Sequence, residues 1–109
     1  MLTPVVFVGT SLDALRAFPA VARQRAGYQL DRVQRGLDPD DWKPMQGIGA
    51  GVREIRVRDA TSQFRVMYVV RHQDAVYVLH CFQKKTRRTS GHDLDLAAKR
   101  FRDVIRGER

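Results

Sequence analysis

The chain has 109 residues, 43% of them hydrophobic, with one cysteine and a net charge of +8. This composition predicts one globular domain over residues 1–109 with a modest core, and it excludes a disordered tail or a low-complexity chain. No run approaches the ~20 apolar residues of a bilayer span, the first residues lack a secretory-signal pattern, and Cys81 alone makes no intrachain disulfide, so a protein of the reducing cytoplasm is expected, with no membrane.

Val5-Val6-Phe7-Val8 is a β-branched and aromatic run ended by Gly9, and it predicts a first strand. Thr10 or Ser11 then caps a short helix over about 11–17, with Leu12, Leu15 and Phe18 on one face. Pro19 breaks that helix and suits the first turn of the next, predicted over about 19–35 and stopped by Gly36. Ala22, Ala26, Leu30 and Val33 follow its helical repeat. Residues 36–51, rich in glycine, proline and aspartate, predict a connector without regular structure, tucked onto the body by Trp42 and Met45.

Strands are predicted over 52–58, 64–70 and 75–83, with polar turns at 59–63 and 71–74. Such short connections predict an antiparallel meander. A last helix over about 93–106 puts Leu94, Ala97, Ala98, Phe101 and Ile105 inward. The order β-α-α-β-β-β-α gives an α+β fold, with N-terminal helices and a C-terminal helix packed on a small antiparallel sheet.

The charge is unevenly placed. Residues 1–51 carry a net +1 and residues 52–109 a net +7. A half-chain this basic points to a polyanion, first of all nucleic acid. Period-two alternation puts Ile55 and Val57 on one face of their strand and Glu54, Arg56 and Arg58 on the other. Arg65, Met67 and Val69 share a face of the next strand. In the third, Val76, Val78, His80, Phe82 and Lys84 share one. One side of the sheet is thus expected to collect Arg56, Arg58, Arg65 and Lys84. The run Lys84-Lys85-Thr86-Arg87-Arg88 follows, offering charge and hydroxyls to phosphates.

Other chemistries lack their residues. His72, His80, His92 and Cys81 show no metal-ligand spacing, so no metal is expected. His80 and Cys81 read as packing residues. Gly47-Ile48-Gly49-Ala50-Gly51 precedes a strand where a phosphate loop needs a helix, and reads as connector.

Trp42-Lys43-Pro44-Met45, Gly49-Ala50-Gly51-Val52-Arg53-Glu54-Ile55-Arg56-Val57, Phe64-Arg65-Val66-Met67-Tyr68 and Leu79-His80-Cys81-Phe82-Gln83-Lys84-Lys85-Thr86, in that order, resemble a phage-derived, HigB-like branch of the RelE/ParE toxin superfamily. The resemblance covers almost the whole chain. It implies a RelE-like fold and the toxin of a type II toxin–antitoxin system. Such a toxin cleaves mRNA on the ribosome and is neutralised by a cognate antitoxin, often a helix-turn-helix DNA-binding protein. One departure is plain. Many RelE-type enzymes use a tyrosine near the C-terminus, whereas the last tyrosine here is Tyr77. HigB-type enzymes often use histidine or acidic residues near the end, a part open to His92-Asp93, which reads first as a helix start, and the general acid and base stay unassigned.

RNA brings its own nucleophile, the 2′-OH, so fixed cations around the scissile phosphate supply much of the catalysis and no cofactor is expected. Arg56 and Arg65 are the expected phosphate clamp. Lys84 or Lys85, crowded by positive charge, is the expected proton-transfer group. Lys43, Arg53, Arg58, Thr86, Arg87 and Arg88 are expected to hold flanking RNA or the ribosome. A non-catalytic nucleic-acid-binding module, or a prophage regulatory protein of the same fold, would use the same basic face without cleavage.

Overall fold

In the computed structural model, which describes residues 2–71 and 74–107, five strands form one sheet in the order β1-β5-β4-β3-β2. The elements are β1 (Val5–Phe7), α1 (Ser11–Arg16), α2 (Ala20–Gln34), β2 (Trp42–Pro44), β3 (Arg53–Arg58), β4 (Gln63–Arg71), β5 (Ala75–Lys84) and α3 (Gly91–Arg106). The α+β architecture follows the sequence closely, and β3, β4 and β5 form the expected antiparallel meander. The middle positions of the turn predicted at 71–74, including His72, lie outside the described residues.

The helices begin and end where local chemistry requires. Pro19 is the N-cap of α2, which buries Ala22, Ala26, Leu30 and Val33 as predicted. Gly36, at φ +81°, closes α2, with its N–H on the Val33 carbonyl and the Leu37 N–H on that of Arg32. Ser90 caps α3 by accepting the Asp93 N–H at 3.2 Å, while its hydroxyl donates to the Asp93 carboxylate at 2.7 Å.

Four expectations are corrected. The sheet is not wholly antiparallel, because β1 pairs parallel to β5, with Val5 opposite Val76. The connector is not wholly irregular, since Trp42–Pro44 pairs antiparallel with β3 as an edge strand, where a proline loses no ladder bond. The inward face of α3 is Ala97, Arg100 and Val104, flanked by Leu94 and Phe101, whereas Ile105 is 48% exposed. The fourth correction concerns β5. Met67 pairs with His80 but Tyr68 pairs with Val78, so Leu79 is an extra residue in a β-bulge. Beyond the bulge the alternation inverts. Val76, Val78 and Cys81 pack on the α1–α2 side, while Leu79, His80 and Phe82 face α3.

The sheet therefore carries two cores. On one face, α1 and α2 cover Ile55, Val57, Phe64, Val66 and Val78, with the Phe18 and Phe64 rings 4.7 Å apart. On the other, α3 covers Met67, Val69, Tyr77, Leu79 and Phe82. Arg100 crosses that second core. It donates to the bulge carbonyl of Leu79 at 2.9 Å and to the Thr10 hydroxyl at 2.9 Å. The α3 helix covers only part of its face. The remainder, over β2, β3 and the ends of β4 and β5, carries the charged side chains.

Candidate nucleic-acid interface

The part of the α3 face that the helix leaves uncovered collects the cations. Register places Arg56 of β3 directly opposite Arg65 of β4, and Arg65 opposite Phe82 of β5. One row further along, Arg58, Gln63 and Lys84 are aligned. One row back, Lys43 of β2 faces Glu54 of β3. Five charged side chains thus share one patch: Lys43, Glu54, Arg56, Arg65 and Lys84.

Glu54 is the deepest of them, fully buried, and its role was not legible in the sequence. Its Oε1 lies 3.5 Å from Arg65 Nε and 3.9 Å from Lys43 Nζ, and its Oε2 accepts from the Thr89 hydroxyl at 3.5 Å. Among the described residues, neither Glu54 Oε1 nor Arg65 Nε has a hydrogen-bond partner. Arg65 is itself 5% exposed. Its two Nη groups donate to the Phe64 carbonyl at 3.0 Å and to Gln63 Oε1 at 2.9 Å. The guanidinium is therefore fixed before any ligand arrives. Burial lowers its pKa, and Arg56 and Arg58 add to that against the opposing pull of Glu54.

Arg56 is more open and leans on Asp41 at 3.6 Å. Lys84 is half-buried at the end of β5. Its ammonium is held below the ordinary lysine range by desolvation and then by Arg65, with Lys43 and Arg56 adding and Glu54 opposing.

The other predicted residues divide. Lys85, Thr86 and Arg87 line a polar pocket of about 470 Å³ with Lys84, the β3–β4 turn residues Thr61 and Ser62, and Gln63 at the start of β4. Lys85 lies past the end of β5 and is exposed. The Thr86 hydroxyl donates to the Arg88 carbonyl, and Arg88 stays outside the pocket. Arg58 lies on the cationic face at its outer end. Arg53 does not join them. It alternates to the α2 side, where it covers the Trp42 ring at 3.9 Å and pairs with Asp38 at 2.9 Å.

A second polar pair was also missed. His80 Nε2 lies 2.7 Å from Asp93 Oδ1, so the first turn of α3 is tied to β5. His80 Nδ1 is buried and has no hydrogen-bond partner among the described residues, and burial holds the imidazole below its ordinary pKa despite Asp93. Asp93 thus lies in the first turn of α3, close to the expected helix start, and is a histidine partner as well. The bulge at Leu79 hid this contact, because unbroken alternation puts His80 with Val78. Tyr77 is buried and donates to Asp74, far from the cations. Burial pushes the Cys81 thiol up to about 12, so it is an inert packing residue. Among the described residues no three His, Cys, Asp or Glu side chains cluster as a metal site requires, and no helix is long and apolar enough to cross a membrane.

Comparison with known proteins places this geometry. The family described as phage-derived protein Gp49-like matches residues 13–102. A solved structure of the E. coli toxin RelE, a mutant in the free state, superposes with a TM-score of 0.69 at 18% identity, over 92% of this chain and 98% of that one. At that identity the likeness is one of fold. No curated protein matches the sequence.

Proposed function

The chain belongs to the phage-derived Gp49-like family and has a RelE-like fold, and from that premise we propose that it is the toxin of a type II toxin–antitoxin pair, an endoribonuclease that cuts mRNA on the ribosome. Its partner in this reading is a cognate antitoxin with a helix-turn-helix DNA-binding domain, and it acts in the cytoplasm. The observation that carries the reading is the pairing of Arg56 with Arg65 beside Lys84, over the buried Glu54.

The chemistry follows from that placement. The 2′-OH attacks its own phosphorus, the bond to the 5′-oxygen breaks, and the products end in a 2′,3′-cyclic phosphate and a 5′-OH. Arg56 and Arg65 hold the non-bridging oxygens and offset the charge that grows on the phosphorane. Because Arg65 is already fixed by Phe64, Gln63 and Glu54, little reorganisation is left for the transition state. Lys84, with its lowered pKa, exchanges a proton with the attacking or leaving oxygen. Lys43, Lys85, Thr86 and Arg87 hold adjoining phosphates, with Arg58 and Arg88 at the margins. Arg53 serves the packing of β2 on the α2 side.

The test is transcriptome-wide mapping of RNA 5′ ends minutes after induction of the chain in bacteria without its partner. New ends inside reading frames, in register with codons and absent from the Lys84→Ala chain, are expected. No new ends from a soluble, folded chain would return it to a non-catalytic nucleic-acid binder.

A further inference from the structure

Beside the cleft, α2 and β3 enclose an open groove of about 470 Å³. Its wall on α2 is Arg25 and Tyr28, one helical turn apart, and its wall on β3 is Arg56, Val57 and Arg58. Tyr28 is 56% exposed. The inward face of α2 is already made by Ala22, Ala26, Leu30 and Val33, so the Tyr28 ring serves no core. Arg25 is anchored at the groove by donating to the Arg58 carbonyl at 2.6 Å. The carboxylate of the groove, Asp40, and that of the adjoining depression, Asp41, are both occupied. Asp40 accepts from Gln29 at 2.8 Å and lies 3.5 Å from Arg32, and Asp41 lies beside Arg56.

The groove is continuous with the cleft. Arg56, Val57 and Arg58 line both it and the small depression that holds Arg65 and Gln63. Gln63 in turn lines the pocket of Lys84, Thr86 and Arg87. The three depressions make one cationic trough across β3, β4 and β5, with an exposed aromatic ring at one end.

We propose that the α2–β3 groove is a nucleotide subsite, in which a base of the RNA strand flanking the scissile phosphate stacks on Tyr28 while Arg25 and Arg58 hold its backbone. The subsite rests on the cleft reading above. A free base has an apolar face for the ring and a phosphate for the guanidinium groups, and stacking tolerates any base. A protein helix docking here would need a stripe of exposed apolar positions, and Tyr28 is the single large one in the groove.

The test is fluorescence anisotropy with a labelled single-stranded RNA oligonucleotide whose riboses are 2′-O-methylated, which removes the nucleophile and isolates binding. Tyr28→Ala is expected to weaken binding about 5- to 100-fold with an unchanged salt slope, because no charge is lost. Tyr28→Phe is expected to bind as the parent does. A matching oligonucleotide carrying 5-iodouridine is expected to photocrosslink at Tyr28. Arg65→Ala separates the two readings. If it weakens binding and Tyr28→Ala does not, the subsite is overturned and the cleft stands. If Tyr28→Ala leaves RNA binding unchanged but abolishes capture of a co-expressed partner protein, the groove is a protein-docking site and the proposal is wrong. If the parent binds no RNA at low salt, both readings fall.

Discussion

Glu54→Gln isolates the charge of the buried carboxylate at nearly constant shape. At an effective dielectric of about 20, the 3.5 Å approach to Arg65 Nε is worth ~5 kcal/mol of gross attraction. Desolvation of both groups cancels most of that, so the pair adds little net stability while both members are present. Removing one member alone is different. The Arg65 guanidinium is then left buried in the cluster of Arg56, Lys84 and Lys43, with Asp41, already beside Arg56, as the remaining opposing charge. Breaking a buried pair this way costs ~3–5 kcal/mol. The amide oxygen keeps one acceptor in place, which brings the expected loss to about 2–3 kcal/mol. With an unfolding entropy of ~2.1 cal/mol/K per residue, a chain of 109 residues loses about 9–13 °C in Tm. Circular dichroism melts of the parent, Glu54→Gln, Arg65→Met and the double variant check this. In the Arg65→Met background the Glu54→Gln change is expected to cost under about 1 kcal/mol, because no charge is stranded there. A Glu54→Gln chain melting within about 2 °C of the parent would refute the argument that Glu54 offsets the cation cluster.

Four further outcomes follow from single residues. Lys84→Ala is expected to melt with the parent and lose about 10²–10³ in cleavage rate, and Lys84→Arg is expected not to restore it, since a guanidinium holds its proton. A fully active Lys84→Arg chain would mean that charge alone is needed there. Gly49 lies so close to the Phe101 ring that a methyl has no room, so Gly49→Ala is expected to cost ~1–3 kcal/mol in a denaturant titration. Gly27→Ala, in α2 with open space around it, is expected to stabilise by ~0.5–1 kcal/mol. Finally, burial depresses the His80 pKa, with Arg100 and His92 adding and Asp93 opposing, so the unfolded chain takes up that proton first as pH falls. The stability His80 contributes is complete above its unfolded value of ~6.5 and is lost as pH falls through the lower native value. The drop in Tm between about pH 7 and 5 is therefore expected to shrink in His80→Gln, and equal slopes in both chains would count against it.

Most of the architecture was legible because it rests on local patterns. The α2 stripe of Ala22, Ala26, Leu30 and Val33, the stop at Gly36 and the alternation in β3 and β4 each follow from spacing alone. The cationic face was legible for the same reason, since Arg56 and Arg65 sit on unbroken strands whose periods align. The phage-derived RelE resemblance, read from motifs, agrees with the family match and the fold. Glu54 and Arg53 were read less well, and for one reason. Period two gives the face of a side chain but not its depth, so Glu54 looked like a surface charge among arginines and turned out to be the buried counter-ion beneath them. Arg53 was grouped by charge, while its parity sends it to Trp42 and Asp38.

The bulge at Leu79 explains what remained hidden, and it also shapes the site. One inserted residue turns His80, Phe82 and Lys84 away from the α1–α2 core and toward the α3 face. With regular pairing, Lys84 would share a face with Val76 and Val78 and would never meet Arg65. At the inserted residue, Arg100 donates from α3 to the Leu79 carbonyl. His80, on the same side of the bulge, fixes the first turn of α3 through Asp93. The distortion that defeats simple alternation is thus stabilised from two points on α3, and it is the reason a lysine at the end of β5 lies beside the arginines of β3 and β4.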